Sequence, residues 1–284
     1  EPSDRLLSVK NHDEIGTLAH SVHQMEYDVC RNIRELTRVT AEKERISTEL
    51  SVAAKIQLDM LPKEYPAFPD RTDFDLFATM SPAKEVGGDL YDYLLLDDDH
   101  LMITVGDVSG KGMPAALFMG KSKVLLDFYA MLGLSPKEIF DRANNQLCKN
   151  NDSGLFVTCW LGIFCFSTGE LRFVNAGHPY PVLYHEGEFS YLREKPNFVL
   201  GGMEDFPYVE HTITLSKGDR IFVYSDGVTE ATNSEKQLFE EERLLEAMKT
   251  TENLSAPDVL KKVREKIDEF VGEAEQFDDI TMLQ

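Results

Sequence analysis

Four aspartates stand beside short apolar runs, three of them next to a glycine: Asp89 in VGGD, Asp107 in LMITVGDV and Asp226 in IFVYSDG, with Asp278 in DDITML the fourth. Hard divalent cations take oxygen ligands and keep several waters, so carboxylates gathered without His or Cys suit Mg²⁺ or Mn²⁺ over zinc. The glycines around Asp107, in GDVSGKG, raise a rival chemistry, a phosphate cradle. A P-loop needs four residues between its glycines and then Lys-Ser/Thr, whereas three residues separate Gly106 from Gly110 and Gly112 follows Lys111. The dinucleotide fingerprint fails too, lacking its third glycine and a ribose-binding acid in the right order. An Asp-Gly after a strand is by itself an ordinary turn. The ordered set of four is what points to an ion.

The elements that would hold these aspartates change character at a proline cluster. From Ile15 to Met60 a three-four spacing runs through Ile15, Leu18, Val22, Met25, Val29, Asn32, Leu36, Val39, Lys43, Ile46, Leu50, Ala53, Gln57 and Met60. That period predicts a helical rod forming a parallel coiled coil, hence a parallel homodimer, with Asn32 setting register and Lys43 and Gln57 weakening the seam. Pro62, Pro66 and Pro69 end the rod, since each removes a backbone donor. The segment NHDEIGTLAHSVHQM, Asn11 to Met25, resembles the second helix of a HAMP signalling module. The expected domains are 1–28, the C-terminal part of a HAMP unit; 29–65, a coiled-coil linker; and 66–284, the catalytic domain. A HAMP unit implies a transmembrane helix upstream, so the parent protein is expected in the cell membrane with this part in the cytoplasm.

Beyond Phe74 short strand-like runs (FDLFATM, LYDYLLL, LMITVGDV) surround an Asp-rich turn at Asp97 to Asp99. Two helices follow, the second opened by Ser135 and Pro136, then strands from Leu155 to Leu192, a strand ending at SDG, two more helices and the final DDITMLQ. Strands and helix pairs in blocks predict a layered α+β domain, an antiparallel β-sandwich flanked by helix pairs, not a doubly wound sheet.

Fifty acidic against 29 basic residues give a formal net charge of −21, which argues against nucleic acid as partner. The four cysteines form no CxxC pair, and Cys159 and Cys165 fall in the apolar run FVTCWLGIFCF, so reduced thiols in a core strand are expected. No stretch approaches 18 consecutive apolar residues. His12, His20 and His23 sit at no ligand spacing and are read as a solvated helix face.

The motifs VGGDLYDY, VGDVSGKGMPAALFM, NAGHPYPVL, GDRIFVYSDGVTEA and FDDITML, together with the junction AAKIQLDMLP, resemble the metal-dependent serine/threonine phosphatases of the SpoIIE/RsbU branch, from about Pro82 to Gln284. The resemblance implies the αββα fold of two packed antiparallel sheets and a pair of ions, Mn²⁺ or Mg²⁺. Asp107 would bridge them with the Val108 carbonyl beside it, Asp89 would be an early ligand and Asp226 and Asp278 late ones, with Asp279 at a neighbouring position. It implies in-line hydrolysis by a metal-activated water, Asp107 and Asp226 central to it, with no phosphoenzyme. The expected substrate is a phosphorylated STAS-domain regulator. Where eukaryotic relatives use an arginine for phosphate, Lys84 stands here, and Lys84 or Lys111 is the candidate phosphate contact. His178 in NAGHP is read as structural. Rival readings are a non-enzymatic partner-binding module and a nucleotide cyclase suggested by Gly87-Gly88-Asp89, although LYDY lacks the acidic-aromatic ending of that signature.

Overall fold

The computed structural model describes residues 14–284. Residues 1–13, which include the start of the HAMP-like segment and His12, lie outside the described residues. The chain divides between Ala53 and Ala54 into two compact units. Helix α1 (Glu14–Asp59) supplies the first unit and continues into the second. Within the first unit Ile15, Leu18, Met25, Val29, Leu36, Val39 and Ile46, all positions of the three-four spacing, are exposed large apolar side chains.

The second unit is a two-layered sandwich. One sheet has the order β2-β3-β4-β5-β8 and the other β1-β10-β9-β6-β7, and every pairing between these strands is antiparallel. Their ranges are β1 (Ala78–Ser81), β2 (Asp89–Leu95), β3 (His100–Val108), β4 (Val157–Cys165), β5 (Glu170–Ala176), β6 (Val182–His185), β7 (Glu188–Tyr191), β8 (His211–Thr214), β9 (Arg220–Tyr224) and β10 (Ile280–Leu283). Helices α2 (Met113–Met131) and α3 (Pro136–Cys148) cover the first sheet, and α4 (Glu240–Lys249) and α5 (Ala256–Val271) the second. The strand pleat sorts side chains between three layers. Leu101, Ile103 and Val105 of β3, Trp160 of β4 and Phe173 of β5 meet Val223 and Leu283 between the sheets. Their sequence neighbours Met102, Leu161 and Val174 turn to α2 and α3, while Phe222, Tyr224, Ile280 and Met282 turn to α4 and α5.

The predicted helix starts are built as their sequences suggest. Ser135 Oγ accepts from the Glu138 N–H in a capping box with Pro136 in the first turn, and Ser255 caps α5 the same way from Asp258. Strand β8, which no reading of the sequence anticipated, is four residues long and half exposed. Cys165 closes β4 only partly buried, unlike Cys159, and all four cysteines are free. No described helix is long and apolar enough to cross a membrane.

Gln57 departs from its expected place in the coil seam. It is buried in the second unit, where its Nε2 donates to the Gly87 carbonyl at 2.6 Å and its Oε1 accepts from the Gly87 N–H at 3.1 Å. A polar residue at a seam position is satisfied here by a loop backbone, a partner that helical spacing cannot reveal.

Candidate active site

In antiparallel sheets the start of one strand lies beside the end of the next. Asp89 opens β2 and pairs in register with Asp107 near the end of β3. Asp226 follows β9, and Asp278 and Asp279 precede β10, its antiparallel neighbour. Two packed sheets therefore deliver all five carboxylates to one end of the sandwich. Thr281 of β10 crosses between the sheets, its Oγ1 donating to Asp89 Oδ2 at 2.5 Å.

The carboxylates feel one another. Burial, then the charges of Asp226 and Asp278, pushes Asp107 up to about 7. Burial, then Glu230 and Asp278, pushes Asp226 up to about 6. Asp89, fully enclosed, is raised well above the carboxylate range by burial and then by Asp107 and Asp279. Like charges held together out of water are what a cation would relieve.

The backbone fits that cation as well. A Cβ on Gly88 would lie 2.8 Å from the Val108 carbonyl oxygen and 3.3 Å from Asp107 Oδ1, so only glycine leaves these two oxygens a common open space. The donor set is entirely oxygen, as Mg²⁺ or Mn²⁺ requires. Asp89, Asp107, the Val108 carbonyl, Asp226 and Asp278 would hold it.

Asp279 has other work. Its Oδ1 accepts from the Ala83 N–H at 2.8 Å and its Oδ2 from the Gly88 N–H at 2.7 Å, pinning the glycine turn that presents Asp89. Space around this clamp is closed: a Cβ on Gly227 would sit 1.9 Å from the Asp279 carbonyl oxygen. Ser225 completes the arrangement, its hydroxyl donating to that same carbonyl at 3.2 Å and accepting the Thr281 N–H at 3.0 Å.

The two lysines differ. Lys111 Nζ pairs with Asp278 Oδ2 at 2.8 Å, donates to the Phe277 carbonyl at 2.8 Å and lies over the Phe277 ring, so its charge is spent on a candidate ligand. Lys84 is exposed on the loop before Gly87 and makes no hydrogen bond or ion pair among the described residues. His178 is buried, its Nδ1 3.0 Å from Thr158 Oγ1, and burial pushes its pKa down to about 3. It stands behind β4, where Thr158 is the register partner of Asp107.

Sequence reasoning missed Thr281 and Gln57 as supports of this site and left the role of Asp279 open. The DDIT run carried a signal for Thr281, since a residue two positions along a strand shares the face of the first.

The family described as Stage II sporulation protein E (SpoIIE) matches residues 97–284. The chain belongs to the SpoIIE family. Asp107, Asp226 and Asp278 fall within the match, and Asp89 joins them through its register with Asp107. Among curated relatives, Protein IcfG of Synechocystis sp. is 29% identical over 301 residues, covering 95% of this chain and 46% of that protein. Phosphoserine phosphatase RsbU of Bacillus subtilis is 31% identical over 189 residues, covering 66% of this chain and 55% of that protein. The chain spans about half the length of these relatives. The SiaA-PP2C domain of Pseudomonas aeruginosa shares the fold, with a TM-score of 0.76 at 21% identity over 86% of this chain and 97% of that domain. The sandwich of this SpoIIE-family chain thus shares its fold with the SiaA-PP2C domain and sequence with the phosphoserine phosphatase RsbU.

Proposed function

We propose that this SpoIIE-family chain removes phosphate from phosphoserine or phosphothreonine on a regulatory protein, at a centre built by Asp89, Asp107, the Val108 carbonyl, Asp226 and Asp278. The observation that carries this reading is the convergence of buried carboxylates from both sheets around the Gly88 turn. Mn²⁺ or Mg²⁺ bound there supplies charge neutralisation and a water ionised near neutral pH. Two ions fit the number of ligands.

The chain's own residues do the rest. Asp107, from the rigid end of β3, offers its carboxylate to the centre of the cluster, and Asp226 and Asp278 close it from the second sheet. Thr281 holds Asp89 by its 2.5 Å hydrogen bond, and Asp279 fixes the turn. Lys84, exposed on the same turn, is the phosphate contact this geometry favours, with Lys111 serving first as the counter-ion of Asp278. A phosphorylated STAS-domain protein is the substrate class. The name of RsbU, a phosphoserine phosphatase, supports the serine preference.

The exposed apolar positions of α1 support a parallel homodimer through the coil. Gln57, bonded to the turn that carries Asp89, supports control of the centre by α1. With a HAMP unit at 1–28, a linker at 29–65 and the catalytic domain at 66–284, the parent protein would sit in the membrane and this part in the cytoplasm.

The test is phosphate release from a phosphoserine STAS-domain protein with Mn²⁺ or with chelator. Turnover requiring metal and falling roughly a thousandfold in Asp107→Asn and Asp226→Asn is expected, the scale of the several kcal/mol a bound ion contributes. Tight capture of the phosphoprotein without release would make the domain a binding module instead.

A further inference from the structure

At the end of the first sheet away from the aspartates, β3 begins and β4 ends with side chains of a different chemistry. His100 and Cys165 are register partners on these neighbouring strands, so they project from the same face of the sheet side by side. Asp99 precedes His100 and turns its carboxylate to the same point, with Cys165 Sγ 3.3 Å from Asp99 Oδ2. An imidazole nitrogen of His100, the Sγ and a carboxylate oxygen of Asp99 all lie within 4.8 Å of one another. Seven residues of strand, about 23 Å at about 3.3 Å per residue, separate His100 from Asp107, so this cluster shares nothing with the oxygen-lined centre.

We propose that Asp99, His100 and Cys165 form a binding site for a thiophilic divalent ion, zinc by chemical class. A thiolate, an imidazole and one carboxylate are borderline-soft donors that select Zn²⁺ over Mg²⁺ or Mn²⁺. Bond lengths of about 2.0–2.3 Å at tetrahedral angles place ligand atoms about 3.3–3.8 Å apart, so the cluster closes on an ion by small side-chain movements. The imidazole is already oriented. Asp97 holds Nδ1 with both carboxylate oxygens at 2.9 Å, the carboxylate–imidazole arrangement that steadies metal-bound histidines, and with the proton on Nδ1 the Nε2 lone pair would be the one offered to the ion.

The backbone under the cluster is equally fixed. The Phe166 N–H donates to the Asp99 carbonyl at 2.9 Å, and the Ser167 N–H to Asp99 Oδ1 at 2.8 Å. Ser167 Oγ lies 2.6 Å from Asp99 Oδ2 and 3.3 Å from Cys165 Sγ, at the place a fourth ligand or its water would take. Binding replaces the thiol proton by the ion and releases that proton to solvent, with no change of oxidation state. The ion would tie the turn between β2 and β3 to the turn after β4.

Cobalt(II) is the probe, titrated into the full chain in excess Mg²⁺, which keeps the oxygen centre filled. The expected result is a thiolate-to-cobalt charge-transfer absorption saturating at one equivalent and bleached by Zn²⁺. It disappears in Cys165→Ser, persists in Cys148→Ser, and needs roughly tenfold more cobalt in Asp97→Asn. Absence of the absorption from the intact chain, or its survival in Cys165→Ser, overturns the proposal. Alkylation of Cys165 read by mass spectrometry checks the same contact in the unsubstituted protein. Zn²⁺ should slow the reaction at Cys165 and not at Cys148, and equal rates with and without Zn²⁺ overturn the site.

Discussion

At the scale of residues, one hydroxyl and one pair of carboxylates decide most. Thr281 donates to Asp89 from the opposite sheet, and Thr281→Val keeps the shape while removing the donor. Loss of such an outer-shell bond costs about 10–100-fold in metal affinity, so the Mn²⁺ concentration for half-maximal turnover should rise by that factor. An unchanged metal dependence would remove Thr281 from the site. Asp107 at about 7 and Asp226 at about 6 both lie above their unfolded value of 3.8. Between about pH 4 and about pH 7 the metal-free folded state therefore holds more protons than the unfolded one, and its stability falls as pH rises. Below about pH 4 both states are protonated and the effect vanishes. Thermal denaturation in chelator should show this carboxylate penalty growing from about pH 5 to about pH 7, and Mn²⁺ should remove it by taking the place of the protons. The same penalty with saturating Mn²⁺ as with chelator would contradict the assignment. The aspartates themselves were legible in the sequence because each stands at the end of a strand-like apolar run. The pairing of Thr281 with Asp89 was not, because its partner lies 192 residues away on another sheet.

At the scale of elements, the last turns of α1 and the glycine turn before β2 form one device. Gln57 satisfies both the N–H and the C=O of Gly87, and its loss leaves two buried backbone groups unpaired at about 1–3 kcal/mol each. Gln57→Ala should loosen the turn and raise the Mn²⁺ requirement roughly tenfold, with the rate at saturating metal little changed. A variant with wild-type metal dependence would show that the turn stands without α1. The elements carrying strong local signals were readable: the Ser135 cap, the Asp-rich hairpin turn, and the apolar runs of β3 and β4. Strand β8 was not, since four half-exposed residues alternate too briefly to announce themselves and are held by pairing with β5.

At the scale of the whole molecule, the exposed stripe of α1 is what the proposed parallel dimer would cover. Leu36 is 66% and Ile46 is 48% exposed, apolar surface that a parallel coil would cover. Leu36→Asp with Ile46→Asp should convert the proposed dimer to a monomer in light scattering, and a wild-type chain already monomeric at working concentration would refute the coil. By itself the sequence determined the block order of a layered α+β domain and set four oxygen-bearing side chains at strand ends, because side-chain alternation and capping are local properties of the chain. Only the tertiary structure decided that Asp279 clamps a turn, that Lys111 answers Asp278, and that Gln57 leaves the helical seam for Gly87. Each of those roles depends on which distant backbone or charge lies within about 3 Å, and spacing along a chain carries no record of that distance.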